Sequence, residues 1–147
     1  MLSADLYPAL VGTPVGLESQ NLVSDLIQSL PIGLNARFCR CLWLKDDDPV
    51  SCATACRSLL ETIIGDVCLR EQLTQNRRGV RLYVLVGMCM DSSAVPQTIV
   101  DHMLTVRNYG NTGAHAGDDY SLISTAYVEP CVLALVNILK WYMEKYL

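Results

Sequence analysis

At 147 residues the chain has the length of one average domain, enough to enclose a core without disulfide or metal staples. A hydrophobic share of 51% against 18% charged residues excludes an unfolded chain, and no apolar run is long enough to span a bilayer. The net charge of -4 disfavours a broad electrostatic surface for duplex nucleic acid. The start Met1-Leu-Ser-Ala-Asp5 lacks the basic opening of a secretory signal, so a soluble, cytoplasmic protein with no membrane partner is expected.

A single all-α domain is the expected organisation, beginning with an irregular arm over 1–17 that is punctuated by Pro8, Gly12, Pro14 and Gly16. From Glu18 to Leu30 the residues Leu22, Val23, Leu26, Ile27 and Leu30 recur at helical spacing, and Pro31 to Gly33 interrupts them. The pattern resumes from Leu34 to Lys45, with Phe38, Cys41, Leu42 and Trp43 expected inward, and stops at the acidic triplet Asp46-Asp47-Asp48. Asp48 is a good N-cap and Pro49 suits the first helical position, so a third helix starts there. Its stripe is Cys52, Cys56, Leu59, Leu60, Ile63 and Val67, while Arg57 and Glu61 sit four apart, spaced for an exposed intrahelical ion pair.

Arg70, Arg77, Arg78 and Arg81 form the one dense basic cluster, read as a solvated connector in preference to a phosphate clamp. The segment 81–90 has β-branched character, but no second run of similar length exists to pair with it, and a buried helix is the economical reading. Pro96 opens a helix that reaches Tyr109, with Ile99, Val100, Met103, Leu104 and Val106 inward and His102 at the core edge. Glu129-Pro130 opens the last helix, apolar nearly all round, which makes it either the centre of a bundle or half of an oligomer interface. Seven cysteines, an odd number without C-x-x-C spacing, fall mostly on apolar helical positions and read as reduced core thiols.

Between the last two helical patterns lies Arg107-Asn-Tyr-Gly-Asn-Thr-Gly-Ala-His115-Ala-Gly-Asp-Asp119, which concentrates the chain's polar chemistry. If the helix continues past Tyr109, Arg107, Asn111 and His115 share one face at spacings of four. That trio suits metal-independent phosphodiester chemistry: His115 takes a proton from a ribose 2′-hydroxyl, Arg107 stabilises the charged transition state and Asn111 orients the phosphate. If instead the helix ends at Tyr109, Gly110 is its left-handed terminator and Asp118 or Asp119 caps the succeeding segment. Arg107 extends the Val100 and Met103 face and is expected to be partly buried beside a carboxylate, with Glu61, Asp118 and Asp119 as candidates. The same volume suits a small ligand or nucleotide, for which Asn108, Asn111, Asp118, Asp119, Arg57 and Glu61 are candidate binding residues. None of these readings calls for a metal or another cofactor.

Ala55-Cys-Arg57-Ser-Leu-Leu60-Glu61 on one helix, then Val106-Arg107-Asn-Tyr-Gly110-Asn111-Thr-Gly-Ala114-His115, then an apolar helix closing on Trp141 to Leu147, together resemble a known pattern. It is that of a helical domain of unknown function attached to type I restriction-enzyme motor subunits, a HEPN-like branch of α-helical nucleotide-binding and ribonuclease domains. The likeness covers roughly 49–147. It implies an up-and-down helical bundle that forms a homodimer, with the Gly-Asn-x-x-x-His signature near the dimer face. Active ribonucleases of the superfamily carry an Arg shortly before the His; here the residue five before His115 is Gly110, and Arg107 lies eight before it. The expected function is therefore a noncatalytic dimerisation or interaction module of a nucleic-acid-processing or defence assembly, with a metal-independent endoribonuclease acting on RNA as the alternative and a nucleotide-binding domain as the weaker one.

Overall fold

Asp48 closes one helix and opens the next. Its main-chain N–H donates to the Leu44 carbonyl, while its carboxylate accepts from the Ser51 N–H at 3.1 Å and from the Ser51 hydroxyl at 2.6 Å. These bonds satisfy donors that the first turn of a helix leaves unpaired, and they hold the Asp48 carboxyl below its ordinary range, the hydroxyl bond contributing most. The computed structural model describes residues 17–75, 79–114 and 125–147. Among them are six helices and no strand: α1 (Leu17–Ser29), α2 (Ile32–Asp47), α3 (Pro49–Arg70), α4 (Leu82–Met90), α5 (Gln97–Ala114) and α6 (Thr125–Tyr146). The expected arm over 1–17 lies outside the described residues except for Leu17, as do Arg77 and Arg78 of the basic cluster. None of the described helices is long and apolar enough to cross a membrane.

The ends of the helices show how the bundle runs. At one pole the Tyr146 hydroxyl donates to Glu71 Oε1 at 2.7 Å, Arg70 Nη1 donates to the Tyr146 carbonyl at 3.3 Å, and Lys145 Nζ reaches Glu71 at 3.5 Å and the Ala94 carbonyl. The C-terminal ends of α3 and α6 therefore meet the turn that enters α5. At the other pole Lys45 Nζ lies 3.7 Å from Glu129 Oε1, tying the last turn of α2 to the early turns of α6. So α3 and α6 run parallel and α5 runs back against both, packing extensively on each.

This arrangement buries Leu59, Leu60, Ile63 and Ile64 of α3 with Met103 and Val106 of α5 and Leu135, Ile138 and Leu139 of α6. Each such side chain contributes about 2 kcal/mol of transfer free energy. The seven cysteines are free, six of them buried, as reduced core thiols. The segment from Leu82 is helical, as expected, and turns Leu82, Leu85, Val86 and Cys89 inward.

Four expectations need correction. Trp43 faces solvent, 57% exposed, while Lys45 takes the inward position one turn beyond Cys41 and is wholly buried. Helix α5 does not end at Tyr109 but continues to Ala114, and Gly110 lacks the left-handed backbone of a terminator. Helix α6 begins at Thr125, before Pro130, which lies inside it. Arg57 and Glu61 form no ion pair, since Arg57 is drawn across the neighbouring helix while Glu61 stays in solvent.

Candidate functional site

Two segments singled out in the sequence, one around Arg57 on α3 and one around Gly110 on α5, meet on the seam between these helices. A Cβ built on Gly110 would lie 2.6 Å from Arg57 Cδ and 2.9 Å from Cγ, and closer still to Arg57 Cβ. The aliphatic stem of Arg57 thus occupies the space that any side chain at position 110 would need. Gly110 is present for close approach of two helices, not for turning the chain. The cost is roughly 1 kcal/mol of helix propensity relative to Ala, offset by the contact that it permits.

Laying the stem on α5 also encloses the first nitrogen of the guanidinium. The Arg57 Nε atom is buried and has no hydrogen-bond partner, an unusual condition for a guanidinium nitrogen. Because α5 stays helical, Arg107 and Asn111 stand one turn apart and share a sector of about 100° with Gly110. Both are half-buried; Asn108, to the side, is exposed, and Glu61 is exposed one turn along α3 from Arg57. Two guanidiniums and an amide therefore border the same seam, with a carboxylate at its edge.

Arg107 is partly buried as its spacing predicts, but it makes no ion pair with Glu61. The other expected partners, Asp118 and Asp119, lie outside the described residues, and so does His115. Of the candidate catalytic trio, the described part is thus Arg107 and Asn111, placed as a continuous helix requires. His102 is half-buried on α5, in keeping with a core-edge role.

Behind the seam the Cys56 thiol is buried, and the neighbouring thiols of Cys131, Cys41 and Cys52, then burial, push it well above the ordinary thiol range. A thiol held neutral in this way is a poor nucleophile and a poor metal ligand. Among the described residues no group of three or more His, Cys, Asp or Glu is arranged to hold a metal ion. The buried Lys45 ammonium and Glu129 lie at the same pole.

Sequence reasoning missed the role of Arg57 as a packing element and the inward position of Lys45. The first had a signal, since a glycine inside an otherwise sound helix often marks close approach. The second had only its spacing from Phe38, Cys41 and Leu42. The chain matches no family model, no curated protein and no solved structure.

Proposed function

We propose that this chain is a noncatalytic α-helical dimerisation and interaction module, of HEPN-like kind, serving a nucleic-acid-processing or defence-type assembly. The observation that supports it most is the use of Gly110. The residue five before His115, in the window where an active ribonuclease of the superfamily places its arginine, is committed to helix packing, and Arg57 fills the space over it. The polar segment then has a structural reason for its glycine that needs no substrate. The net charge of -4 agrees with a partner that is protein in preference to polyanion.

The test is sedimentation of the purified chain at micromolar concentration, paired with incubation against a broad panel of single-stranded RNAs in EDTA. A dimer that leaves every RNA intact is the expected result; a monomer, or cleavage, removes the reading.

A second reading, the metal-independent endoribonuclease, gains from one observation: α5 runs through Gly110 and so keeps Arg107 and Asn111 on one face. It requires EDTA-resistant cleavage that disappears in both His115→Ala and Arg107→Ala. In that reading Arg107 clamps the phosphate, Asn111 orients it and His115 is the general base.

A further inference from the structure

Ile32 and Trp43 stand on the same helix, α2, at 90% and 57% exposure. Single apolar side chains on a surface need no explanation, but an aligned set does. Ile32, Ala36, Cys39, Arg40, Trp43 and Asp47 fall within an arc of about 100° on α2. The five from Ala36 to Asp47, with Leu44, line a groove of about 470 Å³. Trp and Arg are the residue types that most often dominate binding energy when an interface closes over them.

The charges on this stripe are complementary to each other across Trp43. Arg40 precedes it by three residues and Asp47 succeeds it by four, and neither forms an ion pair within the described part of the chain. An antiparallel copy of α2, related by a two-fold axis between positions 43 and 44, sets Arg40 against the partner's Asp47 and Asp47 against the partner's Arg40. The two indole rings then meet between the paired charges. A closed two-fold contact requires a self-complementary patch of this kind. A parallel pairing would instead oppose like charges.

The alternative face offered by the sequence is already in use. Cys131, Val132, Leu135, Ile138 and Leu139 of α6 are fully buried by this chain's own helices. We propose that two copies of the chain associate through α2, antiparallel, with Trp43 at the centre and two reciprocal Arg40–Asp47 pairs around it. This rests on the homodimeric reading of the chain and names α2 as its interface, in place of the face near Gly110 and Asn111 that the resemblance implies.

Sedimentation velocity of the full chain across a concentration series provides the test, with circular dichroism confirming that each variant is folded; all three positions are on the surface, so folding is expected to survive. Trp43→Ala should raise the dimer dissociation constant roughly tenfold or more. Arg40→Asp and Asp47→Arg should each weaken the dimer, and the double exchange should recover it, whereas Tyr83→Ala on α4, also exposed, should leave it unchanged. Recovery in the double exchange supports reciprocal pairing directly. A dimer indifferent to all three α2 variants keeps the homodimeric reading and overturns this interface; a chain that stays monomeric throughout overturns both.

Discussion

Arg57 lies across α5 at Gly110 so closely that the two helices have no room for one more carbon between them. Gly110→Ala should therefore destabilise the fold even though alanine is the better helix former. The gain in propensity is about 1 kcal/mol, but the new methyl meets the Cβ of Arg57, which cannot swing away as a side-chain tip can. Helix separation then costs about 1 to 3 kcal/mol, for a net loss on the order of 1 kcal/mol in chemical denaturation. Gly87 on α4 supplies the opposite sign: nothing lies within 4 Å of its missing Cβ, so Gly87→Ala should stabilise by roughly 0.5 to 1 kcal/mol. Equal effects at both positions would contradict the packing account.

The Asp48 cap predicts both a size and a pH profile. Asp48→Ala should cost about 1 kcal/mol at neutral pH through loss of the bonds from Ser51. The folded-state pKa of Asp48 is depressed, first by the Ser51 hydroxyl and then by its N–H. A depressed carboxyl contributes stability that is present above its unfolded-state pKa and is lost as pH falls through the folded-state value. The gap between wild type and Asp48→Ala, measured by urea unfolding, should thus be full at neutral pH and close below the ordinary carboxylate range. A gap that persists unchanged in acid would assign the effect to something other than the charged cap.

That cap was legible because its cause is local: an oxygen at Asp48, a proline after it and a donor at Ser51 are all close together in the chain. On α2 residue type misled. The helical period runs through Phe38, Cys41, Leu42 and Lys45, so the geometry was present, but a lysine hid a core position and a tryptophan hid a surface one. Gly110 misled for a related reason, since propensity treats glycine as a helix end, whereas the demand here comes from Arg57, far away in sequence. The helices and their order come from local periodicity; which face of α2 is left open, and what lies over α5, are set by contacts between distant segments.

The pole at Glu71 and Tyr146 has two pH edges. The Glu71 carboxyl is held below its usual range, chiefly by the bond from the Tyr146 hydroxyl and then by Lys145, so its contribution is present above the ordinary carboxylate pKa and fades as pH falls through the lowered value. The Tyr146 phenol is raised, first by burial and then by its bond to Glu71. A raised phenol contributes below its unfolded-state pKa, and that contribution fades as pH rises beyond the ordinary phenol value of 10. Tyr146→Phe should therefore lower the melting temperature at neutral pH, with the difference from wild type narrowing toward both acid and strong alkali. Because Tyr146→Phe keeps the ring packed against Trp141 and Tyr142, a melting temperature equal to that of wild type at every pH would show that the ring alone accounts for the stabilisation.

Lys45 and Glu129 test whether the buried pair stabilises the fold or only compensates for itself. The lysine is fully buried and its ammonium is 3.7 Å from a carboxylate oxygen, too far for a good hydrogen bond but near enough for strong attraction at low dielectric. Glu129 Oε1 in turn has no hydrogen-bond partner, so the pair is held by charge. Removing one charge from such a pair takes from the other an attraction that offsets its burial, a loss of about 3 kcal/mol, whereas replacing the lysine by an apolar side chain of similar length removes the ammonium's own desolvation cost as well. Glu129→Ala should accordingly destabilise severely, by roughly 3 kcal/mol. Lys45→Met with Glu129→Leu, which keeps the volume and discards both charges, should fall within about 1 kcal/mol of wild type. If chemical denaturation instead shows the double variant to be as unstable as Glu129→Ala, the ion pair itself, and not the filling of that space, holds α2 to α6.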